Sequence, residues 1–330
     1  MNFQELPPIE KASTYLDYAF GAVRRKKGEP HRRVAVFAGD LTKRLTKIES
    51  QYPSVDSLTP FYGELFNATL DVGRLRKSIS SVKWARKKIE QLGSKYEGTI
   101  AGDKDAETQQ KHKTLKQFYA RASSIMEQID DALGFLEDAR KIMRRYPAIK
   151  KDLFTVAIFG FPNIGKTTLL SGLTAADPEI SNYSFTTKAI NVGYMRDEEN
   201  RRRRVQVLDT PGTLNRFEKM NQIEKQAEIV IKHAAHLVVY VFDLTEPYPM
   251  ADQEALYGKI RQSETPCVIY ISKTDTIDAD IVEQFTKKRD ERVFSNADAL
   301  YSHLMEEAKR WDERRKLEEQ ETNHDQEDDE

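Results

Sequence analysis

The chain has 330 residues, enough for two domains with a core each, and its 39% hydrophobic and 32% charged residues indicate a large solvated surface. Its single cysteine, Cys267, excludes a disulfide framework within the chain and is typical of a reducing cytoplasm. No apolar run approaches the ~20 residues of a membrane-spanning helix, and the N-terminal residues lack the pattern of a signal peptide, so we expect a cytoplasmic protein without membrane contact.

The net charge of −1 hides an uneven distribution along the chain. Residues 1–151 carry 29 Lys and Arg against 19 Asp and Glu, residues 152–311 carry 20 against 24, and residues 312–330 carry 3 against 10. We therefore predict a basic domain at 1–151, a near-neutral domain at 152–311, and an acidic tail at 312–330 that begins as a frayed helix and becomes disordered.

Residues 1–151 are predicted to form an all-α helical bundle. Apolar residues from Leu65 to Leu92 and from Leu115 to Met143 follow a three-four spacing, which places one apolar stripe on each of two long helices. The segment from Gly93 to His112 is rich in Gly and Asp and indicates a turn region between them. We predict an antiparallel helical hairpin with two shorter N-terminal helices packed on it, followed by a domain joint at 147–152.

From Phe154 onward, predicted strands and helices alternate, which is typical of a mostly parallel sheet covered by helices. The apolar strands are Phe154–Phe159, Val205–Leu208, Leu237–Phe242, Cys267–Ile271 and Arg292–Phe294. A further strand at Ala189–Met195 is joined to Val205 by a segment too short for a crossover helix, so this edge strand is predicted to run antiparallel. The four arginines at 201–204 in that segment fit either nucleic-acid contact or a solvated hairpin.

The strongest motif is Gly160–Thr167, which matches G-x-x-x-x-G-K-[ST] between a predicted strand and a predicted helix. Glycines at both ends let the backbone N–H groups point inward at a β-phosphate, and Lys166 would reach the β- and γ-phosphates. Thr167 would give its hydroxyl to Mg²⁺. The predicted nucleotide contacts here are Gly160, Phe161, Pro162, Asn163, Ile164, Gly165, Lys166, Thr167 and Thr168.

Three later residues complete the predicted phosphate and magnesium site. Asp209 ends a buried strand after the phosphate loop, where a second Mg²⁺ anchor belongs, acting through water. The N–H of Gly212 is placed to sense the γ-phosphate. Thr187 would give Mg²⁺ a second hydroxyl only while a triphosphate is bound, which would make its loop a switch. We predict that Lys166, Thr187 and Gly212 carry the catalysis.

The sequence Ser272-Lys-Thr-Asp275 follows a later strand and is predicted to choose the base. A carboxylate such as Asp275 accepts hydrogen bonds from both N1–H and the exocyclic amine of guanine, and adenine offers no such pair of donors. Lys273 would lie along the base and ribose, and the backbone of Ser295 would contact guanine O6. Taken alone the four residues fit a solvated turn; after a complete phosphate site the guanine interpretation is favoured.

In this order, Gly160–Thr167, Thr187, Asp209–Gly212 and Ser272–Asp275 resemble the nucleotide motifs of the translation-factor class of P-loop GTPases. The loop residues Phe-Pro-Asn after Gly160, and Asp-Thr-Pro-Gly at 209–212, are similar to the Obg–Nog branch of that class. The stretch Tyr52–Leu65, with the predicted helical hairpin behind it, resembles the Nog family, the nucleolar GTP-binding proteins and their archaeal relatives.

The resemblance covers nearly the whole chain and implies a helical bundle followed by an α/β P-loop GTPase domain with a mostly parallel sheet. It also implies GTP hydrolysis with Mg²⁺ and a role in assembling the large ribosomal subunit, with ribosomal RNA or ribosomal protein as partner. The long C-terminal extension of the eukaryotic members is missing here, so we expect a short, archaeal-type form.

Two residues depart from the family pattern. Ser272 stands where the guanine motif usually begins with Asn, and the loss of one hydrogen bond predicts nucleotide binding weaker by about 1 kcal/mol. Thr213 stands where Ras-like proteins carry a Gln that orients water, so we expect slow intrinsic hydrolysis. Some related GTPases with Asn at the position of Asn163 hold a potassium ion against the phosphates, and we predict the same use here.

The main functional hypothesis is a GTP-dependent switch acting on the large ribosomal subunit. The alternative is a structural RNA-binding assembly protein whose nucleotide site is vestigial, which Ser272 and Thr213 favour. A small-substrate kinase is the third hypothesis, and the switch-like motifs at 209–212 and 272–275 disfavour it. The basic clusters of the N-terminal domain are each compatible with a solvated helix face, whereas the excess of +10 favours contact with phosphate backbones.

Overall fold

The computed structural model describes residues 3–26, 28–52, 55–102, 108–174, 181–184, 189–197, 204–210 and 229–327. The chain divides into two compact units, Met1–Arg145 and Tyr146–Glu330. The secondary structure described for the first unit is helical, and the second unit combines a sheet with helices, as the sequence predicts. Within the described residues, no helix combines the length and apolar character needed to cross a membrane.

Among the described residues of the first unit, six segments form α-helices. They are α1 (Ala12–Arg25), α2 (Pro30–Gln51), α3 (Pro60–Thr69), α4 (Val72–Gly102), α5 (Thr108–Gln128) and α6 (Asp130–Met143). The long helix α4 packs on α2, α5 and α6. Its buried side chains recur at helical spacing, as the apolar stripe predicts: Leu75, Val82, Ala85 and Ile89.

The predicted turn region from Gly93 to His112 is too long, because α4 continues to Gly102 and α5 begins at Thr108. Gly93 lies inside α4, buried at the contact with α2, where a Cβ atom would stand 2.7 Å from the Cβ of Ala38. The glycine is therefore required by a close helix–helix approach and not by a turn. The predicted second long helix is also divided, since α5 ends at Gln128 and α6 begins at Asp130.

The second unit is built on a seven-stranded sheet with the order β2-β3-β4-β1-β5-β6-β7. The strands are β1 (Thr155–Phe159), β2 (Ser181–Ser184), β3 (Ala189–Arg196), β4 (Arg204–Asp209), β5 (Leu237–Asp243), β6 (Cys267–Ser272) and β7 (Val293–Phe294). Strands β4, β1, β5, β6 and β7 are parallel, and β3 pairs antiparallel with β4. The predicted antiparallel strand is confirmed, and β2 lies outside it as a further strand.

Four helices of the second unit are α7 (Lys166–Leu173), α8 (Met250–Arg261), α9 (Ala279–Lys287) and α10 (Ala297–Glu327). Helix α10 includes most of the acidic segment for which the sequence predicts a frayed and then disordered tail. Its central part is anchored, because Trp311 packs on Phe154 and His236. Arg315 lies over the Trp311 ring and donates a hydrogen bond to the carbonyl of Asp152 at 3.1 Å. These contacts tie the part of α10 around Trp311 and Arg315 to the residues just before β1 and β5.

Two histidines of this unit use Nδ1 of the ring as a hydrogen-bond acceptor. His236 Nδ1 accepts a hydrogen bond from the N–H of Thr155 at 2.9 Å, and burial lowers the pKa of its ring. His303 Nδ1 lies 2.9 Å from Nη1 of Arg292, which donates; burial, followed by the charge of Arg292, lowers the pKa of this ring too. Each ring must therefore lose its role as an acceptor before it can take up a proton.

We expect the free energy of unfolding to fall as the pH drops below 6.5, the ordinary histidine pKa. The unfolded chain takes up protons at that pH, whereas the folded rings take them up only at lower pH. Chemical denaturation at about pH 7.5 and about pH 5.5 would measure this loss. The variant His236→Asn should lose less stability over the same interval than the wild type, and an equal loss in both proteins would contradict the assignment.

Candidate nucleotide-binding site

The predicted site residues that the structure describes lie at one edge of the sheet. Strands β1, β4, β5 and β6 are parallel, so their carboxyl ends meet at the same edge. The registers place Asp209 opposite Ile158, near the end of β1, and Asp243 opposite Ser272. This edge of a mostly parallel sheet is where ligands bind in open α/β folds.

The backbone of the loop between β1 and α7 has positive φ angles, which favour glycine and asparagine, at three positions. The φ angles are +147° at Gly160, +59° at Asn163 and +93° at Gly165. A Cβ on Gly160 would stand 2.4 Å from Ile164 Cδ1 and 2.8 Å from the carbonyl oxygen of Val241. Asn is among the side chains that tolerate a left-handed conformation, so the exposed Asn163 suits the backbone whatever else it does.

Lys166 is the first residue of α7, and its side chain reaches back into this loop. Its side chain is buried, and Nζ donates a hydrogen bond to the carbonyl of Phe161 at 2.7 Å. The ring of Phe161 packs on Tyr248, with 4.8 Å between centroids, which joins the loop to the segment after β5. The ammonium group is thus held at the loop that surrounds a phosphate in this type of site.

Thr167 and Asp209 form a pair beside the loop. The Thr167 hydroxyl donates to Oδ2 of Asp209 at 2.7 Å, and Nδ2 of Asn191 donates to the same oxygen at 3.1 Å. Among the described residues, the buried Oδ1 of Asp209 has no hydrogen-bond partner. Burial raises the pKa of this carboxyl, while the hydrogen bond from Thr167, the charge of Lys166 and the hydrogen bond from Asn191 oppose that rise.

A hydroxyl and a buried carboxylate with an unused oxygen are hard oxygen ligands of the kind that Mg²⁺ prefers. The residues present therefore fit the magnesium ion that the sequence predicts at Thr167 and Asp209.

Asn191 was not predicted as a residue of this site. Its position follows from the register of β3 on β4, where it stands opposite Asp209, and the hairpin prediction assigned no register.

The predicted guanine segment lies after β6. Asp275 is exposed in the short 3₁₀ turn Thr274–Thr276, and the Thr274 hydroxyl lies 3.4 Å from the carbonyl oxygen of Ser295. The turn that carries Asp275 and the backbone of Ser295 are thus neighbours. The buried Ser272 hydroxyl donates to the carbonyl of Phe242 at 3.1 Å, so this side chain is used to join β6 to β5.

Lys273 has a left-handed backbone, with φ of 54°, and its Nζ lies 2.6 Å from Oδ2 of Asp243. Asp243 was not singled out from the sequence, since one acid at the end of a strand carries no signal of its own. Thr187, Gly212 and Thr213 lie outside the described residues.

A mostly parallel sheet with this loop, lysine and threonine–aspartate pair places the second unit among the P-loop GTPases. A family model described as a 50S ribosome-binding GTPase matches residues 155–273. A second model, described as the NOG1 N-terminal helical domain, matches residues 6–150. The chain belongs to the Nog family of P-loop GTPases.

The chain is similar to several individual proteins. An uncharacterized protein of Methanocaldococcus jannaschii is 36% identical over 77% of this chain and 71% of its own length. Nucleolar GTP-binding protein 1 of Drosophila melanogaster is 29% identical over 84% of this chain, and its namesake in Arabidopsis thaliana is 29% identical over 90%. The chain spans 44% and 46% of the lengths of these two proteins. The G domain of the T. maritima FeoB iron transporter is 23% identical over 47% of this chain and 98% of its own, with a TM-score of 0.38.

Proposed function

We propose that the chain is a cytoplasmic GTP-dependent switch that hydrolyses GTP slowly and acts in the assembly of the large ribosomal subunit. The observation that carries the proposal is the Thr167–Asp209 pair beside the loop that holds Lys166, at the same sheet edge as Asp275. The membership in the Nog family supports the choice of GTP and of the ribosome.

In this proposal each phosphate-site residue has a separate task. Lys166 exchanges the carbonyl of Phe161 for phosphate oxygens, which stabilises the charge on the β- and γ-phosphates. Thr167 and Asp209 would hold Mg²⁺, the latter through water, and the bound ion would supply positive charge beside the phosphates. Thr187 and Gly212 respond to the γ-phosphate, through a hydroxyl and an N–H respectively, and so report the nucleotide state.

The residues at the guanine end of the site also have separate tasks in this proposal. Asp275 accepts from the two N–H donors of guanine, Lys273 lies along the base and ribose, and Ser295 contributes a backbone contact to guanine O6. The Ser272 hydroxyl already donates to the Phe242 carbonyl, so it is not free to donate a hydrogen bond at the guanine end. That observation favours the second candidate function, a structural RNA-binding assembly protein with a vestigial nucleotide site.

We expect GTP turnover to be faster in potassium than in sodium buffer, by an amount that depends on Asn163. A potassium ion held by the Asn163 amide would supply the positive charge that an arginine finger supplies elsewhere. Single-turnover hydrolysis in matched KCl and NaCl buffers measures the effect. The control is Asn163→Gly, which keeps the left-handed backbone but removes the amide, and it should abolish the difference between the salts. Equal turnover of the wild type in both salts would contradict potassium binding.

The partner surface is proposed to lie on α4. Trp84 is 41% exposed there, an unusual state for this side chain. Residues within about 60° of it around the helix axis, all of them described, include no Asp or Glu. Between Lys77 and Lys95 they comprise Lys77, Ser80, Ser81, Lys87, Lys88, Gln91 and Lys95. Lysines around an exposed indole suit RNA, since ammonium groups pair with phosphates while a base stacks on the ring.

We expect Trp84→Ala to weaken the binding of large-subunit ribosomal RNA by about tenfold, the equivalent of one lost base–aromatic stack. Removing Lys77 and Lys88 together should lower the salt dependence of binding by about one unit of slope per lysine. Filter binding across a salt series measures both. The control is Lys287→Ala, an exposed lysine of the other unit. If Trp84→Ala and the double lysine variant keep the RNA affinity and salt slope of the wild type, as the control Lys287→Ala should, this face of α4 does not bind RNA.

A further inference from the structure

The ion pair between Lys273 and Asp243 has no task in the nucleotide mechanism described above. Asp243 ends β5 and is completely buried, with 0% of its surface exposed. Lys273 follows β6, and its side chain is 40% exposed. The pair thus connects a buried charge to the residue that is expected to lie along the guanine base.

Hydrogen bonds with Thr245 and Gln253 fix the position of Asp243. Oδ1 accepts hydrogen bonds from the N–H of Thr245 at 3.0 Å and from its hydroxyl at 2.6 Å. The side-chain amide of Gln253, itself fully buried, bonds both to the N–H and to the carbonyl of Asp243, each at 3.0 Å. These bonds leave Oδ2 facing Lys273 Nζ at 2.6 Å. A buried carboxylate held in one orientation is an anchor for its cationic partner.

Lys273 needs such an anchor. Its left-handed backbone is uncommon for a residue with a side chain, and a free lysine loses considerable rotamer freedom when a ligand orders it. Tying Nζ to a fixed carboxylate orders the aliphatic stem before the nucleotide arrives. The stem then presents an apolar surface in one place at the guanine end of the site.

We propose that Asp243 is a positioning residue for guanine-nucleotide recognition, which acts by holding Lys273 Nζ. The proposal rests on the nucleotide function proposed above. Loss of the anchor means that nucleotide binding must itself order Lys273, so Asp243→Asn should weaken GDP binding by about three- to tenfold. In a Lys273→Ala background the same substitution should have no further effect, because no side chain remains to be positioned.

The test is a double-mutant cycle. GDP affinity is measured by fluorescence titration for the wild type, Asp243→Asn, Lys273→Ala and the double variant, with thermal unfolding of each. Asp252→Asn, an exposed carboxylate on α8, is the matched control. The proposal predicts that Lys273→Ala and the double variant bind GDP equally. A purely structural role would lower the unfolding temperature of Asp243→Asn without changing its GDP affinity, and this result would overturn the proposal.

Asp243→Asn removes a buried charge and can fail to fold, so a second variant is needed. Lys273→Met keeps most of the stem but removes the atom that Asp243 holds, and it should also lose about three- to tenfold in GDP affinity. Unchanged GDP affinity in Lys273→Met would overturn the proposal. A wild type that binds no guanine nucleotide would overturn the proposed nucleotide function as well, whereas normal wild-type binding with unaffected variants would overturn this inference alone.

Discussion

Replacing Lys166 with alanine is expected to lower GTP affinity by about a hundredfold or more, the value of one or two charge-assisted hydrogen bonds to phosphate. The Lys166 ammonium group is buried within the loop and is held 2.7 Å from the Phe161 carbonyl, ready to exchange that partner for a phosphate oxygen. Titration with a fluorescent GTP analogue measures the loss.

The matched control for this prediction is Lys287→Ala. Lys287 is an exposed lysine of the same unit, paired with Glu283 on the surface of α9. The Lys287→Ala variant should bind GTP with the affinity of the wild type. If Lys166→Ala remains folded by circular dichroism and keeps its GTP affinity, the loop between β1 and α7 does not bind the phosphates.

The second large effect concerns the helical unit. Replacing Gly93 with valine is expected to lower the free energy of unfolding by about 2–3 kcal/mol, because the new side chain overpacks the contact between α2 and α4. A Cβ at this position would stand 2.7 Å from the Cβ of Ala38, and backbones of two packed helices must move apart to accommodate it. Urea denaturation followed by far-UV circular dichroism measures the change.

Gly98 provides the comparison within the same helix. It is exposed, and an added Cβ would meet nothing within 4 Å. Gly98→Ala should therefore raise the free energy of unfolding, by about 0.5–1 kcal/mol from helix propensity alone. Equal effects of the substitutions at Gly93 and Gly98 would show that propensity, and not the approach of α2, decides the role of Gly93.

Elements determined by local pattern were predictable from the sequence. The apolar runs of β1, β4, β5 and β6 and the apolar stripe of α4 follow from the periodicity that burial imposes on strands and helices. The phosphate loop was predictable for a similar reason, since its glycines are needed by a local backbone shape. In both cases the cause lies within a few neighbouring residues.

Features that depend on distant partners were not predictable. Gly93 indicates a turn by composition, and only its contact with Ala38 explains why it lies inside a helix. Asn191 and Asp243 join the site through strand register and through a contact with Lys273, neither of which a single sequence contains. The anchoring of α10 by Trp311 likewise depends on the start of β1.

The central claim, that this site selects guanine nucleotides, is tested most directly by calorimetry. GTP and ATP are titrated separately into the full chain with Mg²⁺ and potassium present, and Asp275→Ala is titrated alongside. The proposed function predicts binding of GTP but not of ATP, and loss of GTP binding in Asp275→Ala. Binding of neither nucleotide by the wild type, or equal binding of both, would contradict the claim, and the former result would make RNA contact the main function.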